Sequence, residues 1–116
     1  MTDPLVALRD ALRAFAAERD WDQFHSPRNL AAALAVEAAE LLEPFQWLTD
    51  EQSRDLSTEA RAAVEQEMAD VLLYLVRLAD KLGVDLERAA RAKMALNAEK
   101  YPVDRARGSS RKYDEL

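Results

Sequence analysis

The chain has no cysteine, which excludes a disulfide framework and any thiolate metal site. It has one histidine, His25, too few for a typical zinc centre. Glycine occurs twice and proline four times in 116 residues, and aromatics make up only 7%. That leaves little material for strands and the turns between them. There is no G-x-x-x-x-G-K-[ST] loop and no G-x-G-x-x-G fingerprint, so both common glycine-rich phosphate cradles are excluded. No elbow motif surrounds a serine, and no good base is at hand for one. No apolar run is long enough to span a bilayer. The opening MTDPLVALRDAL carries acidic residues and no long apolar stretch, unlike a secretory leader. The expectation is a soluble, cytoplasmic protein with no membrane partner.

What is present points to helices. Hydrophobic residues make up 49%, mostly Ala and Leu, which predicts an all-α fold. A chain of 116 residues is one domain with a modest core, and helical pairs of this length often complete their core by oligomerising. The net charge of -6 is unevenly spread: residues 1–87 hold 8 Lys+Arg against 18 Asp+Glu, residues 88–116 hold 8 against 4. An acidic body argues against a nucleic-acid partner. The basic C-terminal quarter is either a solvated tail or a means of reaching a small anion such as a phosphate chain.

Periodicity and caps predict four helices. The first runs from about Asp3 to Arg19, with Leu5, Leu8, Leu12 and Phe15 on one face. Ser26-Pro27 starts the second, which runs to about Trp47 with a kink or early end where Pro44 interrupts it. Residues 48–57 read as a loop with room for one helical turn. The third spans Thr58 to Leu82 and is stopped by Gly83. Its apolar stripe is Val64, Met68, Val71, Leu72, Leu75, Leu78, Ala79 and Leu82. Asp85 caps a fourth helix that ends near Tyr101 before Pro102. Residues 102–116 show no period. The sum is a bundle of about four helices.

Four carboxylates sit oddly in this pattern. In 36-VEAAELLEPFQW-47, Glu37 falls on the stripe formed by Leu30, Leu34 and Leu41, with Glu40 one turn on. In 67-EMADVLLYLV-76, Glu67 stands between Val64 and Val71, with Asp70 a turn later, then Tyr74 and Arg77. One E-x-x-E on an Ala-rich helix is usually a solvated face that pairs with Lys or Arg a turn away. Here no Lys or Arg lies three or four residues from any of the four. A bare carboxylate in an apolar stripe protonates, pairs with a cation or binds a metal. Two such pairs on neighbouring helices suit Mg²⁺ or Mn²⁺ rather than Zn²⁺. His25 reads as structural or capping. Trp21 and Trp47 are either core anchors or surfaces for stacking on a base. Lys93, Asn97, Lys100 and Tyr101 recur at four, three and one, so one face of the fourth helix is cationic and polar.

The E-x-x-E followed by E-x-x-D about thirty residues on resembles the MazG-like nucleotide pyrophosphohydrolases, close to their dCTP-acting branch. The blocks FHSPRN, FQW, ADVLLYL and KYPV…RGSSRKY carry the match and occur in the expected order. The resemblance implies an all-α bundle completed by a homo-oligomer, dimer or tetramer. It implies Mg²⁺-dependent hydrolysis of a nucleoside triphosphate, dCTP or a modified dCTP, to the monophosphate and pyrophosphate, in nucleotide-pool house-cleaning. It places metal binding on Glu37, Glu40, Glu67 and Asp70, with Glu40 or Glu37 activating the attacking water. Base and sugar contacts fall on Trp21, Trp47, Tyr74 and Asn97, and phosphate contacts on Lys93, Lys100 and Tyr101, joined by Arg105, Arg107 and Lys112. Residues 1–102 would form the catalytic domain and 103–116 a basic tail closing over the site. Some dCTP-type relatives carry a His about nine residues before the Trp of ERDW, where this chain has Leu12. Two alternatives stand beside this reading: the same reaction on dUTP or a broad set of nucleotides, and a non-catalytic helical dimerisation module.

Overall fold

The structure is a computed structural model describing residues 3–116. Its described residues form helices and turns with no strand, so the all-α expectation holds. Helix α1 spans Pro4–Glu18; the Asp3 carboxylate accepts from the Leu5 N–H at 2.8 Å and Pro4 takes the first helical position. A 3₁₀ turn at Asp22–Phe24 leads to α2, Pro27–Leu42, whose cap Ser26 accepts from the Asn29 N–H at 3.1 Å. Of the two outcomes expected at Pro44, α2 takes the early end. Proline has no N–H to offer the Glu40 carbonyl, so Glu43 bonds it and the chain tightens into a 3₁₀ turn at Glu43–Phe45.

The loop after Trp47 contains one turn, α3 at Asp50–Ser53, fixed by a reciprocal capping box between Thr49 and Gln52. Helix α4, Thr58–Leu82, is the spine, 25 residues or about 37 Å long. Ser57 caps its start, and Gly83 ends it in the left-handed conformation at φ 66°. It packs mainly on α2 and secondarily on α1. Ala16, Leu30, Val64, Val76 and Ala79 are the buried apolar residues at this junction.

The α4 stripe needs correction. Met68, Leu72, Leu75 and Leu82 are exposed, whereas Val76 and Arg77 are buried. Apolar residues surround most of α4, so spacing alone does not reveal which face α1 and α2 cover. No described helix is long and apolar enough to cross a membrane.

The chain divides into two compact units, one ending at Gly83 and the other running Val84–Leu116. In the second, Asp85 caps α5, Leu86–Lys100, by accepting from the Arg88 N–H at 3.1 Å. Residues 102–116 lack a period, yet they contain a turn of helix, α6 at Val103–Ala106, and a 3₁₀ turn at Tyr113–Glu115. Elements this short cannot display a period. Tyr113 stands edge-on to Tyr101 with centroids 6.1 Å apart, and Lys100 Nζ lies 4.9 Å from the Tyr113 ring centre.

Candidate metal centre and adjoining cavity

The i, i+3 spacing puts Glu67 and Asp70 on one face of α4, the face that meets Glu37 of α2. One carboxylate oxygen from each of Glu37, Glu67 and Asp70 lies within 4.8 Å of the others. Glu37 Oε2 and Glu67 Oε2 are buried and have no hydrogen-bond partner. None of these acids, nor Glu40, pairs with a Lys or Arg among the described residues.

The electrostatic cost appears in their proton affinities. Burial first, then hydrogen bonding and repulsion from Glu40, then the charges of Asp70 and Glu67, push Glu37 up to about 7. Burial and Glu40 also raise Glu67. Of the four expected ligands, three converge, and Glu40 adjoins them closely enough to act on both Glu37 and Glu67. An all-oxygen, all-carboxylate donor set with two orphaned oxygens fits a hard divalent cation.

Beside the triad lies a cavity of about 270 Å³ whose wall includes Asp70. Its other walls come from Leu12 and Phe15 of α1, Trp21 and His25 of the α1–α2 connection, and Tyr74 and Arg77 of α4. Phe15 meets the edge of Trp21 at 5.7 Å and orients that ring. Its volume is just below the usual range for sites that take drug-sized ligands.

The remaining expected residues fall outside this cavity. Trp47 is 86% exposed, so the core-anchor reading fails for it. Lys93, Asn97 and Lys100 lie exposed on α5, with Tyr101 at its C-terminal end. Arg105 lies in α6, with Arg107 and Lys112 following it.

One residue was missed in the sequence. The Arg77 side chain is only 7% exposed. Its Nη2 donates to Asp22 Oδ1 at 2.7 Å, Nη1 to Asp80 Oδ2 at 3.4 Å and Nε to His25 Nδ1 at 3.1 Å. Asp80 also accepts from Arg13 at 2.5 and 2.8 Å, and Asp22 from Lys81. Arg13 accordingly holds the Asp80 carboxyl below its ordinary range, and Lys81 does the same for Asp22. The available signal was an arginine flanked by Val76 and Leu78, with an aspartate at i+3. His25 does both things expected of it: its backbone N–H caps the end of the 3₁₀ turn by donating to the Asp22 carbonyl at 3.1 Å, and its ring accepts from Arg77.

Three comparisons bear on this site. The MazG-like family profile matches residues 32–116. Human dCTP pyrophosphatase 1 is 54% identical over 104 residues, covering 88% of this chain and 61% of the human protein. The mouse protein of the same name is 50% identical with the same coverage. The chain thus spans about three fifths of the length of these curated relatives. A solved pyrophosphatase from Archaeoglobus fulgidus superposes with a TM-score of 0.82 at 38% identity, covering 88% of this chain and 95% of that one.

Proposed function

The chain belongs to the MazG-like family, and from that premise we propose that it hydrolyses dCTP, or a dCTP with a modified base, to the monophosphate and pyrophosphate. The cellular task would be removal of unwanted deoxycytidine nucleotides. The carrying observation is the Glu37–Glu67–Asp70 triad with its two orphaned oxygens, beside a cavity of about 270 Å³ that shares Asp70. The 54% identity to a dCTP pyrophosphatase supports the choice of base.

Glu37, Glu67 and Asp70 would hold Mg²⁺, with Mn²⁺ as a substitute. When bound, the cation neutralises charge on the triphosphate oxygens and polarises the α-phosphorus toward water. Glu40, outside the triad but against it, is the carboxylate best placed to orient the attacking water and take its proton, with Glu37 the other candidate. Trp21 and Tyr74 enclose the base. The partner for the charges of Lys93, Lys100, Arg105, Arg107 and Lys112, with Asn97 and Tyr101, would be the sugar–triphosphate portion, a role resting on charge and, for Lys93, Asn97, Lys100 and Tyr101, on a shared helical face. The chain would act as a homo-oligomer, dimer or tetramer. Exposed Val36 and Leu42 on α2, Met68, Leu72 and Leu75 on α4, and Trp47 support this, because a lone subunit leaves them uncovered.

A second reading, the same reaction on dUTP or on several nucleotides, is favoured by apolar Leu12 on the cavity wall. A nucleotide panel with Mg²⁺ or with chelator separates the readings. Monophosphate and pyrophosphate should form only with metal, fastest from dCTP, and Glu40→Gln should abolish turnover while keeping the fold. No turnover of any nucleotide would leave a helical dimerisation module.

A further inference from the structure

Residues 19–26 cross from α1 to α2. Among the described residues, their side-chain hydrogen bonds to α4 end on two groups only. Arg77 Nε donates to His25 Nδ1 at 3.1 Å, and Arg77 Nη2 donates to Asp22 Oδ1 at 2.7 Å. Lys81 donates to the same oxygen of Asp22. Arg77 cannot swing to follow these partners, because it is buried and Asp80 holds its Nη1. The crossing also starts from a disfavoured backbone, with Asp20 in the left-handed region at φ 54°. The segment is therefore a strap, pinned to α4 by a clasp built around one guanidinium.

A guanidinium only donates. Arg77 can hold His25 only while Nδ1 keeps a free lone pair, which means while the ring is neutral. An imidazolium carries N–H on both nitrogens and would set a donor against a donor. The surroundings do not compensate. From α4, Arg77 and Lys81 face the ring as cations, with the Asp80 carboxylate behind Arg77 and with Asp70 and Tyr74 on the same cavity wall. The strap supplies one opposing anion, Asp22. From α1, Arg13 joins through Asp80, and Asp10 and Arg9 pair outside it. From α2, apolar Leu30 completes the wall. Arg13, Arg77 and Lys81 thus stand against Asp22 and Asp80, so cations are in excess before His25 gains any charge. Burial first, then the charges of Arg77 and Lys81, accordingly hold the imidazole below its ordinary affinity for a proton.

We propose that this strap is an acid-released gate: protonation of His25 breaks its bond to Arg77, and the segment around Asp22–His25 lifts from α4, opening the side of the cavity that Trp21 and His25 form. The inference goes beyond the proposed function and needs no nucleotide. Release takes up a proton, so closure is complete above the ordinary 6.5 of a free ring and weakens as pH falls through the lower value of the clasped one.

The chain has one histidine and two tryptophans, so Trp47→Phe leaves Trp21 as the only tryptophan on the strap or elsewhere. In that background, acrylamide quenching reads the exposure of Trp21, and NMR of the imidazole carbons reads the charge of His25. Both are followed from about pH 8 to about pH 5. His25 should titrate below 6.5, and the quenching constant should rise along the same curve while far-UV circular dichroism stays level. His25→Asn keeps an oxygen for Arg77 and takes up no proton in this range, so its quenching should stay low throughout. Both chains carry Glu37, Glu67 and Asp70, so a transition belonging to those carboxylates would appear in both. An equal rise in His25→Asn would overturn the inference, as would a loss of helix that accompanies the rise. If His25→Asn does not fold, the parent chain still decides: a ring that titrates without any rise in quenching refutes the gate.

Discussion

Glu37 of α2 and Glu67 of α4 each bury one carboxylate oxygen, Oε2, and neither oxygen finds a donor. Once Glu37 has lost its proton, above about pH 7, two acceptors with no donor between them destabilise the metal-free fold. Replacing Glu67 with Gln removes one charge and supplies an N–H that Glu37 can accept. The metal-free Tm should rise by a few degrees, and the rise normally produced by Mg²⁺ should disappear. Turnover should drop about 100-fold or more. Thermal melts with and without Mg²⁺, beside a nucleotide assay, check all three; a lower metal-free Tm would show that the pair is not under strain.

The same strain predicts a pH dependence. Glu37 binds its proton up to about pH 7 when folded, against an ordinary value of 4.5. Its contribution to stability is complete below about 4.5 and is lost as pH rises through about 7. Glu67, also raised, acts in the same direction. His25 acts oppositely: its folded affinity lies below the ordinary 6.5, so it favours the fold as pH rises. The informative quantity is the difference between wild type and Glu37→Gln in chelator. The wild type should lose stability relative to the variant between pH 4.5 and 7, and saturating Mg²⁺ should cancel that loss.

Trp47, at 86% exposed, contributes little to the core of one subunit. Trp47→Ala should change the stability of a single subunit by no more than about 0.5 kcal/mol. A buried tryptophan would cost about 3–5 kcal/mol. A substrate or subunit contact would emerge instead as a raised KM or a shift in assembly state. Urea melts at low protein concentration, with sedimentation of the same samples, distinguish these outcomes.

Leu30 is 1% exposed at the junction of α2 and α4. Leu30→Ala should cost about 2–5 kcal/mol from lost transfer energy and the cavity left behind. Urea unfolding monitored by circular dichroism measures it directly.

Gly83 ends α4 at φ 66°, and a Cβ placed there would touch nothing within 4 Å. Gly83→Ala should therefore cost about 1–2 kcal/mol through backbone strain alone. Asn, which tolerates this conformation better, should recover part of that. Equal melts for Ala and Asn would mean the left-handed turn is not what limits the site.

Much of this architecture was legible because it is local. Ser26-Pro27, Ser57, Gly83 and Asp85 act within one turn of chain, and each marks a helix end where expected. The carboxylates were legible because Glu37 and Glu67 interrupt apolar stripes with no cation in reach. What stayed hidden depends on residues distant in sequence. Arg77 is buried because Asp22 and His25, 55 and 52 positions earlier, come to meet it. Met68 and Leu72 match the core stripe in spacing, but α1 and α2 cover a different side of α4.

The ionic chain from Arg13 through Asp80 and Arg77 to Asp22 and Lys81 also bears on how this protein can change over generations. Loss of Arg77 alone would strip Asp80 and Asp22 of a shared partner and release the ring of His25. Loss of Asp80 alone would leave a guanidinium in the interior short of an acceptor. Single steps at these positions are penalised, whereas a joint replacement by apolar residues need not be. These positions should therefore drift together or not at all, and descendants that retune the cavity should differ at several of them at once.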